Sequence, residues 1–156
     1  MDPSQSEFWV RVGVASLCGA IIGIERQLRG KPAGIRTSIL ICLGTMAFVR
    51  LGSLVTGETG DSTRVLGQVV TGVGFIGAGV MLAREGLVRG VTSAAVIWTL
   101  AAIGALIGFT HYGAALALAL LVLAVLSGVQ LLEQAVRNLR RGDYAKESDV
   151  SGPDEG

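Results

Sequence analysis

The sequence is short of the residues that mark a water-soluble domain. Charged residues make up 16% of its 156 positions, where soluble globular domains carry roughly 25%. So few charges cannot clothe a chain that is 51% hydrophobic with a mean hydropathy of +0.61. There are two cysteines, Cys18 and Cys42, and both fall inside apolar runs. That excludes the disulfide framework of a small secreted domain. The single histidine, His111, excludes a His-rich metal cluster. A net charge of +1 gives no reason to expect a nucleic-acid partner. Residues 1–7 contain no Lys or Arg, so the basic start of a signal peptide is missing. The first apolar run is therefore expected to stay as a membrane anchor.

What is abundant is apolar length and glycine. A spanning helix needs about 20 mainly apolar residues, and five stretches qualify: 8–24, 37–55, 66–83, 91–109 and 112–132. The expected fold class is all-α, a compact glycine-rich bundle of five transmembrane helices. Residues 1–7 form a polar N-terminal segment, 8–132 the membrane domain and 133–156 a cytoplasmic tail. The part of the tail through Arg141 can extend the last helix. Its end, 147–156, holds Ser, Gly, Pro, Asp and Glu and reads as disordered. Residues 108–113 supply the tight turn between the last two spans. Of the 23 glycines, most lie in apolar runs rather than in polar turns. In a bilayer the backbone must satisfy its own hydrogen bonds, so helices form in spite of glycine, and small residues let them approach closely.

The placement of cations sets an orientation. Alternating connectors put Arg26, Arg29, Lys31, Arg36, Arg84, Arg89, Arg137, Arg140, Arg141 and Lys146 on one side, against Arg64 alone on the other. That predicts N-out, C-in. Arg11 and Arg50 sit near the outer ends of the first two spans, where long stems are expected to snorkel to the headgroups.

Gly72-Val73-Gly74-Phe75-Ile76-Gly77 matches the dinucleotide fingerprint. It lies inside an apolar span with no preceding strand, so nucleotide binding is rejected. The better reading is a face of helix-packing glycines: Gly72, Gly74, Gly77 and Gly79, with the pairs Gly19/Gly23 and Gly104/Gly108 on other spans. Gln68, Thr71, Thr92, Trp98 and Thr99 are polar intramembrane candidates for bonds between helices. Thr37 is a plausible N-cap for the second span, and Thr92 or Ser93 for the fourth. Glu25 is the one carboxylate at the edge of a span, and it has two readings. Either it forms an interfacial ion pair with Arg29 at i+4, or it belongs to a functional cytoplasmic cluster with Arg26, Arg36 and Arg89. In the second case it pairs with Arg36 or Arg89. Few other acids are available, which disfavours a dedicated Mg²⁺ pathway. No metal site, cofactor or catalytic set is expected.

Three blocks carry a resemblance. They are Gly23-Ile24-Glu25-Arg26-Gln27 with Ala33-Gly34-Ile35-Arg36-Thr37, then residues 68–80, then Arg84-Glu85-Gly86 with Val88-Arg89-Gly90-Val91-Thr92-Ser93-Ala94-Ala95 and Trp98. In this order they resemble the MgtC/SapB family. The resemblance implies a bacterial inner-membrane protein of five spans, linked to growth at low magnesium and, in pathogens, to survival in host cells. It implies regulation of other membrane proteins for some members, with Mg²⁺ transport as the alternative. Longer members carry a C-terminal ACT-like domain, which this chain is expected to lack. Some members have Asn where this chain has Thr92 and Cys where it has Thr99. The expected partners are the lipid bilayer and either a second copy, as a dimer, or another membrane protein.

Overall fold

The computed structural model describes residues 4–56, 62–84 and 87–150. It contains five helices and one short hairpin. The helices are α1 (Ser6–Leu28), α2 (Ile35–Thr56), α3 (Ser62–Gly79), α4 (Val91–Gly108) and α5 (Tyr112–Val150). Strands β1 (Leu82–Arg84) and β2 (Leu87–Arg89) pair antiparallel between α3 and α4. Four helical segments are long and apolar enough to cross a membrane: Ser6–Leu28, Ile35–Val55, Val91–Gly108 and Tyr112–Leu131. The end of the third expected span, 66–83, is corrected. Its helix stops at Gly79, and the chain turns into β1. The Val80 and Met81 N–H groups bond three residues back, to the Gly77 and Ala78 carbonyls at 3.3 and 3.1 Å, a tightened last turn that closes the helix. In the tail, α5 continues past Arg141 to Val150, so 147–150 is helical where disorder was expected. Residues 151–156 lie outside the described residues.

The chain divides into two units, residues 1–123 and 124–156. The second unit holds the remainder of α5. In the first, α2 is the central helix. Gly19 and Gly23 of α1 lie on it: a Cβ at Gly19 would stand 2.7 Å from Ile39 Cα, and one at Gly23 2.6 Å from Ile35 Cα. Gly104 and Gly108 of α4 lie on its other half. Their added Cβ atoms would meet the Cys42 carbonyl at 2.6 Å and Val49 Cγ1 at 2.8 Å. Two glycine pairs at i, i+4 thus lodge successive stretches of one helix. Around these contacts sit the fully buried Cys18, Ile22, Cys42, Leu100, Ile103 and Ile107. The two cysteines are free.

The helix ends follow from local chemistry. α1 stops in a Schellman turn: Gly30 takes φ +60°, its N–H bonds the Gln27 carbonyl, and the Lys31 N–H bonds that of Arg26. α4 stops the same way, with Thr110 at φ 66° in the left-handed position and the His111 N–H on the Leu106 carbonyl. A glycine would hold that position without strain. The start of α2 is corrected as well. The helix begins at Ile35, not at a Thr37 cap, and the Gln27 side-chain carbonyl of α1 accepts the Ile35 N–H at 3.3 Å.

Candidate functional site

Two arginines bury their head groups at opposite ends of α1. Arg26, 2% exposed, donates to the Ser93 hydroxyl in the first turn of α4 and makes a long contact of 3.5 Å with the Pro32 carbonyl. Its Nε has no hydrogen-bond partner. Arg11, 3% exposed, donates to the Gly108 carbonyl at 2.8 Å and to Glu7. Gly108 is the last residue of α4, so Arg11 places a cation where the helix leaves its carbonyls unpaired and its dipole is negative. Fifteen residues separate Arg11 from Arg26 and fifteen separate Ser93 from Gly108. The two clamps therefore fix α1 and α4 as antiparallel and in step over about 22 Å of helix. Snorkelling does not describe Arg11: its charge turns inward onto a helix terminus. Arg50 is half-buried on α2.

The cluster around Glu25 differs from the expected one. Glu25 is 6% exposed and its ion pair is with Arg29, Nε to Oε1 at 2.7 Å. The carboxylate lies off the line of that N–H, and neither of its oxygens makes a hydrogen bond. The contact is therefore coulombic. Arg36 and Arg89 are exposed, and neither forms an ion pair among the described residues. The pairing of Glu25 with Arg36 or Arg89 is thus corrected to the i, i+4 pair within α1. The reason is local: Arg29 shares the helix face of Glu25, while Arg36 sits on the exposed side of α2. Of the four cluster residues, Glu25 and Arg26 are buried together at one end of the bundle.

The polar candidates within the helices do not bridge them. Thr71 and Thr99 donate to carbonyls of their own helices, Gly67 at 3.0 Å and Ala95 at 2.8 Å. Thr92 is exposed. The N-cap of α4 is Gly90, at φ 93° and with no side-chain cap bond, so neither Thr92 nor Ser93 caps it. Ser93 serves Arg26 instead. Trp98 is 54% exposed and lines a groove of about 330 Å³ between α3 and α4, with Leu66, Val70, Leu106 and Phe109. Gln68 is exposed on α3 and makes no hydrogen bond among the described residues. It lines a larger groove of about 690 Å³ between α2 and α3, with Thr45, Phe48, Gly44, Gly72 and Ile76.

The glycines of α3 part from those of α1 and α4. A Cβ at Gly77 would meet Ala94 at an ordinary 3.7 Å, and one at Gly72, Gly74 or Gly79 would meet nothing within 4 Å. The expectation that these last three pack a helix is corrected for this chain alone: their face is open. Gly90 is the glycine that the sequence reading missed. A Cβ there would run into the Val80 carbonyl, and its φ is positive. Among the described residues no group of three or more His, Cys, Asp or Glu side chains is placed to hold a metal ion.

The sequence model of the MgtC family matches residues 12–135. Protein MgtC of Brucella abortus is 41% identical over 134 residues, which cover 83% of this chain and 55% of the relative. Protein MgtC of Salmonella typhimurium is 42% identical over 124 residues, 79% of this chain and 52% of its own. An Escherichia coli protein named "Putative magnesium transporter YhiD" is 45% identical over 114 residues, 69% of this chain and 53% of its own. The chain spans about half the length of these curated relatives. No solved structure matches it.

Proposed function

The chain belongs to the MgtC family, and from that premise we propose a bacterial inner-membrane protein of five spans that acts as a non-enzymatic regulatory or interaction module in adaptation to low magnesium. The observation that carries this reading is the open face of α3. Gly19, Gly23, Gly104 and Gly108 are filled by α2, while Gly72, Gly74 and Gly79 meet nothing. Glycine weakens a helix by up to about 1 kcal/mol relative to Ala in water. In a membrane its use is close helix approach, and among the described residues nothing stands against Gly72, Gly74 or Gly79 of α3.

The antiparallel clamps between α1 and α4 support five spans. If α3 did not cross, α4 would run parallel to α1. At 18 residues, α3 is about 27 Å long, close to the hydrocarbon thickness of about 30 Å. The cation asymmetry of the connectors supports N-out, C-in, which puts Glu25, Arg26 and Arg29 at the cytoplasmic end.

A second reading, cation transport, has one observation in its favour: the buried Glu25 carboxylate has no hydrogen-bond donor. One carboxylate paired with an arginine is a poor Mg²⁺ site, since that ion takes an octahedron of oxygens. The test sets capture against flux. The chain is purified from native membranes with its bound proteins identified, and in parallel reconstituted in vesicles loaded with a Mg²⁺ indicator. Specific co-purification without flux is the expected result. Saturable Mg²⁺ flux abolished by Glu25→Gln would replace the module with a transporter.

A further inference from the structure

The groove between α2 and α3 is a cleft closed at one end. An added Cβ at Gly52 of α2 would stand 2.6 Å from Val65 Cγ1 of α3, so the two helices touch there. About two turns farther along each helix, at Gly44 and Gly72, an added Cβ would meet nothing within 4 Å. Both glycines line the cleft. Its floor is Ile41, Val69 and Val73, which join the buried cluster of Ile97 and Ala101 on α4. Along α2 the lining runs from Thr37 to Phe48, about 16 Å of helix. That is about half of a hydrocarbon thickness of roughly 30 Å, or one leaflet.

The end away from the Gly52–Val65 contact is cationic. Thr37 and the adjacent Arg36 are exposed there, and Arg36 forms no ion pair among the described residues. The N–H groups of Arg36 and Thr37 lie in the first turn of α2, where the helix supplies no acceptor. Neither makes a backbone bond outside the helix among the described residues. Arg89, also exposed, precedes Gly90, whose backbone lies against the Val80 carbonyl just past the end of α3. Each wall of the cleft thus ends near an arginine.

We infer that the cleft seats one acyl chain of an anionic glycerophospholipid, drawn from the leaflet on the Arg36 side, with its phosphate at Arg36 and Thr37. The site goes beyond the interaction-module reading and does not depend on it. A spanning helix of a partner is about 10 Å wide and must continue past the point where α2 and α3 touch. A chain from one leaflet ends before that point. The two glycines leave the walls bare where the chain lies. At the mouth the phosphate accepts from the guanidinium, the Thr37 hydroxyl and the two free N–H groups, at the positive end of a helix. A headgroup without a cation of its own suits the two arginines better than a zwitterion. Gln68 lines the far part of the cleft, and a hydrocarbon chain gives its amide no partner, at a cost. Gln68→Leu should therefore tighten lipid binding, the opposite of its effect on a polar occupant.

The test uses the full chain with Trp9 and Trp98 replaced by Phe. Phe48→Trp places one reporter in the cleft, at a side chain already 66% exposed. Leu17→Trp on α1, at a side chain 52% exposed, is the lipid-facing control. Each is reconstituted in vesicles of phosphatidylcholine and phosphatidylglycerol, with the acyl chains of one lipid or the other brominated. Quenching of the tryptophan emission then gives the relative association of the two headgroups. At position 48 phosphatidylglycerol should be preferred about fivefold per engaged arginine, and at position 17 not at all. Arg36→Gln should remove most of the preference and leave quenching by the chains. Gly44→Leu and Gly72→Leu should each relieve quenching at position 48 by both lipids with the melting temperature kept, because the new side chain fills the cleft and its Cβ meets nothing. Equal quenching by the two lipids at both positions reports unselective bilayer contact and overturns the site. Quenching at position 48 far below that at position 17 shows a cleft filled by protein and overturns it too. A preference that survives Arg36→Gln overturns the placement of the phosphate, and weaker binding in Gln68→Leu overturns the acyl chain.

Discussion

The α1–α2–α4 core and helix α3 use the same residue in opposite ways. In the core, Gly19, Gly23, Gly104 and Gly108 let two helices sink onto α2, and any added carbon would strike backbone or a β-branched side chain at 2.6 to 2.8 Å. On α3, Gly72, Gly74 and Gly79 face open space. The core is also tied by charge, with Arg11 on the Gly108 carbonyl and Arg26 on Ser93. α3 is instead held at its ends, Val65 against Gly52 of α2 and Gly77 beside Ala94 of α4, with Val73 packed on Ile97 and Ala101 between. Grooves flank it on both sides. The contrast teaches that glycine content does not locate an interface. What distinguishes a spent glycine from an available one is whether its missing Cβ is already occupied by a neighbour.

The comparison breaks most directly at Gly104. Gly104→Leu should be the most destructive change, costing about 3 kcal/mol or more by overpacking against the fixed backbone of α2. Gly74→Leu should leave thermal stability in detergent nearly unchanged. Equal melting temperatures for the two variants would contradict the division into filled and open glycines. The next largest effect is expected at the clamps. Arg11→Met should lower stability by up to about 2 kcal/mol, since it strips the end of α4 of its only buried cation among the described residues. Arg11→Lys should restore part of that stability. Full stability in Arg11→Met would show that the charge snorkels after all.

A smaller effect sharpens the account of the end of α1 that holds Glu25. Glu25→Gln with Arg29→Gln should show a coupling of roughly 0.5 kcal/mol or more in a double-mutant cycle. Glu25→Gln with Arg36→Gln should be additive, because Arg36 is exposed and makes no ion pair among the described residues. The reverse outcome would restore the pairing of Glu25 with Arg36. The smallest effect belongs to Thr92→Ala. Thr92 is exposed and the N-cap is Gly90, so stability should shift by less than about 0.5 kcal/mol. A loss near 1 kcal/mol, the usual cost of a missing cap, would return Thr92 to the capping role.

The sequence alone determined the approximate places of the five helices, four of them long and apolar enough to cross a membrane. Length and hydropathy report the solvent around a segment, and that information is local. Helix ends were legible where the chemistry sits in adjacent residues, as at Gly30 and in the turn near Thr110. The Glu25–Arg29 pair was also legible, as an i, i+4 relation within one helix. Only the tertiary structure decided which glycines are filled, because Gly19 and Gly74 look alike until the helix beside each is known. It alone gave Arg11 and Arg26 their partners, 97 and 67 residues away along the chain. It also alone placed Gln68, which makes no hydrogen bond among the described residues, beside the groove between α2 and α3. Those are relations between helix faces, and a face is created by the packing of distant segments rather than by the residues within one of them.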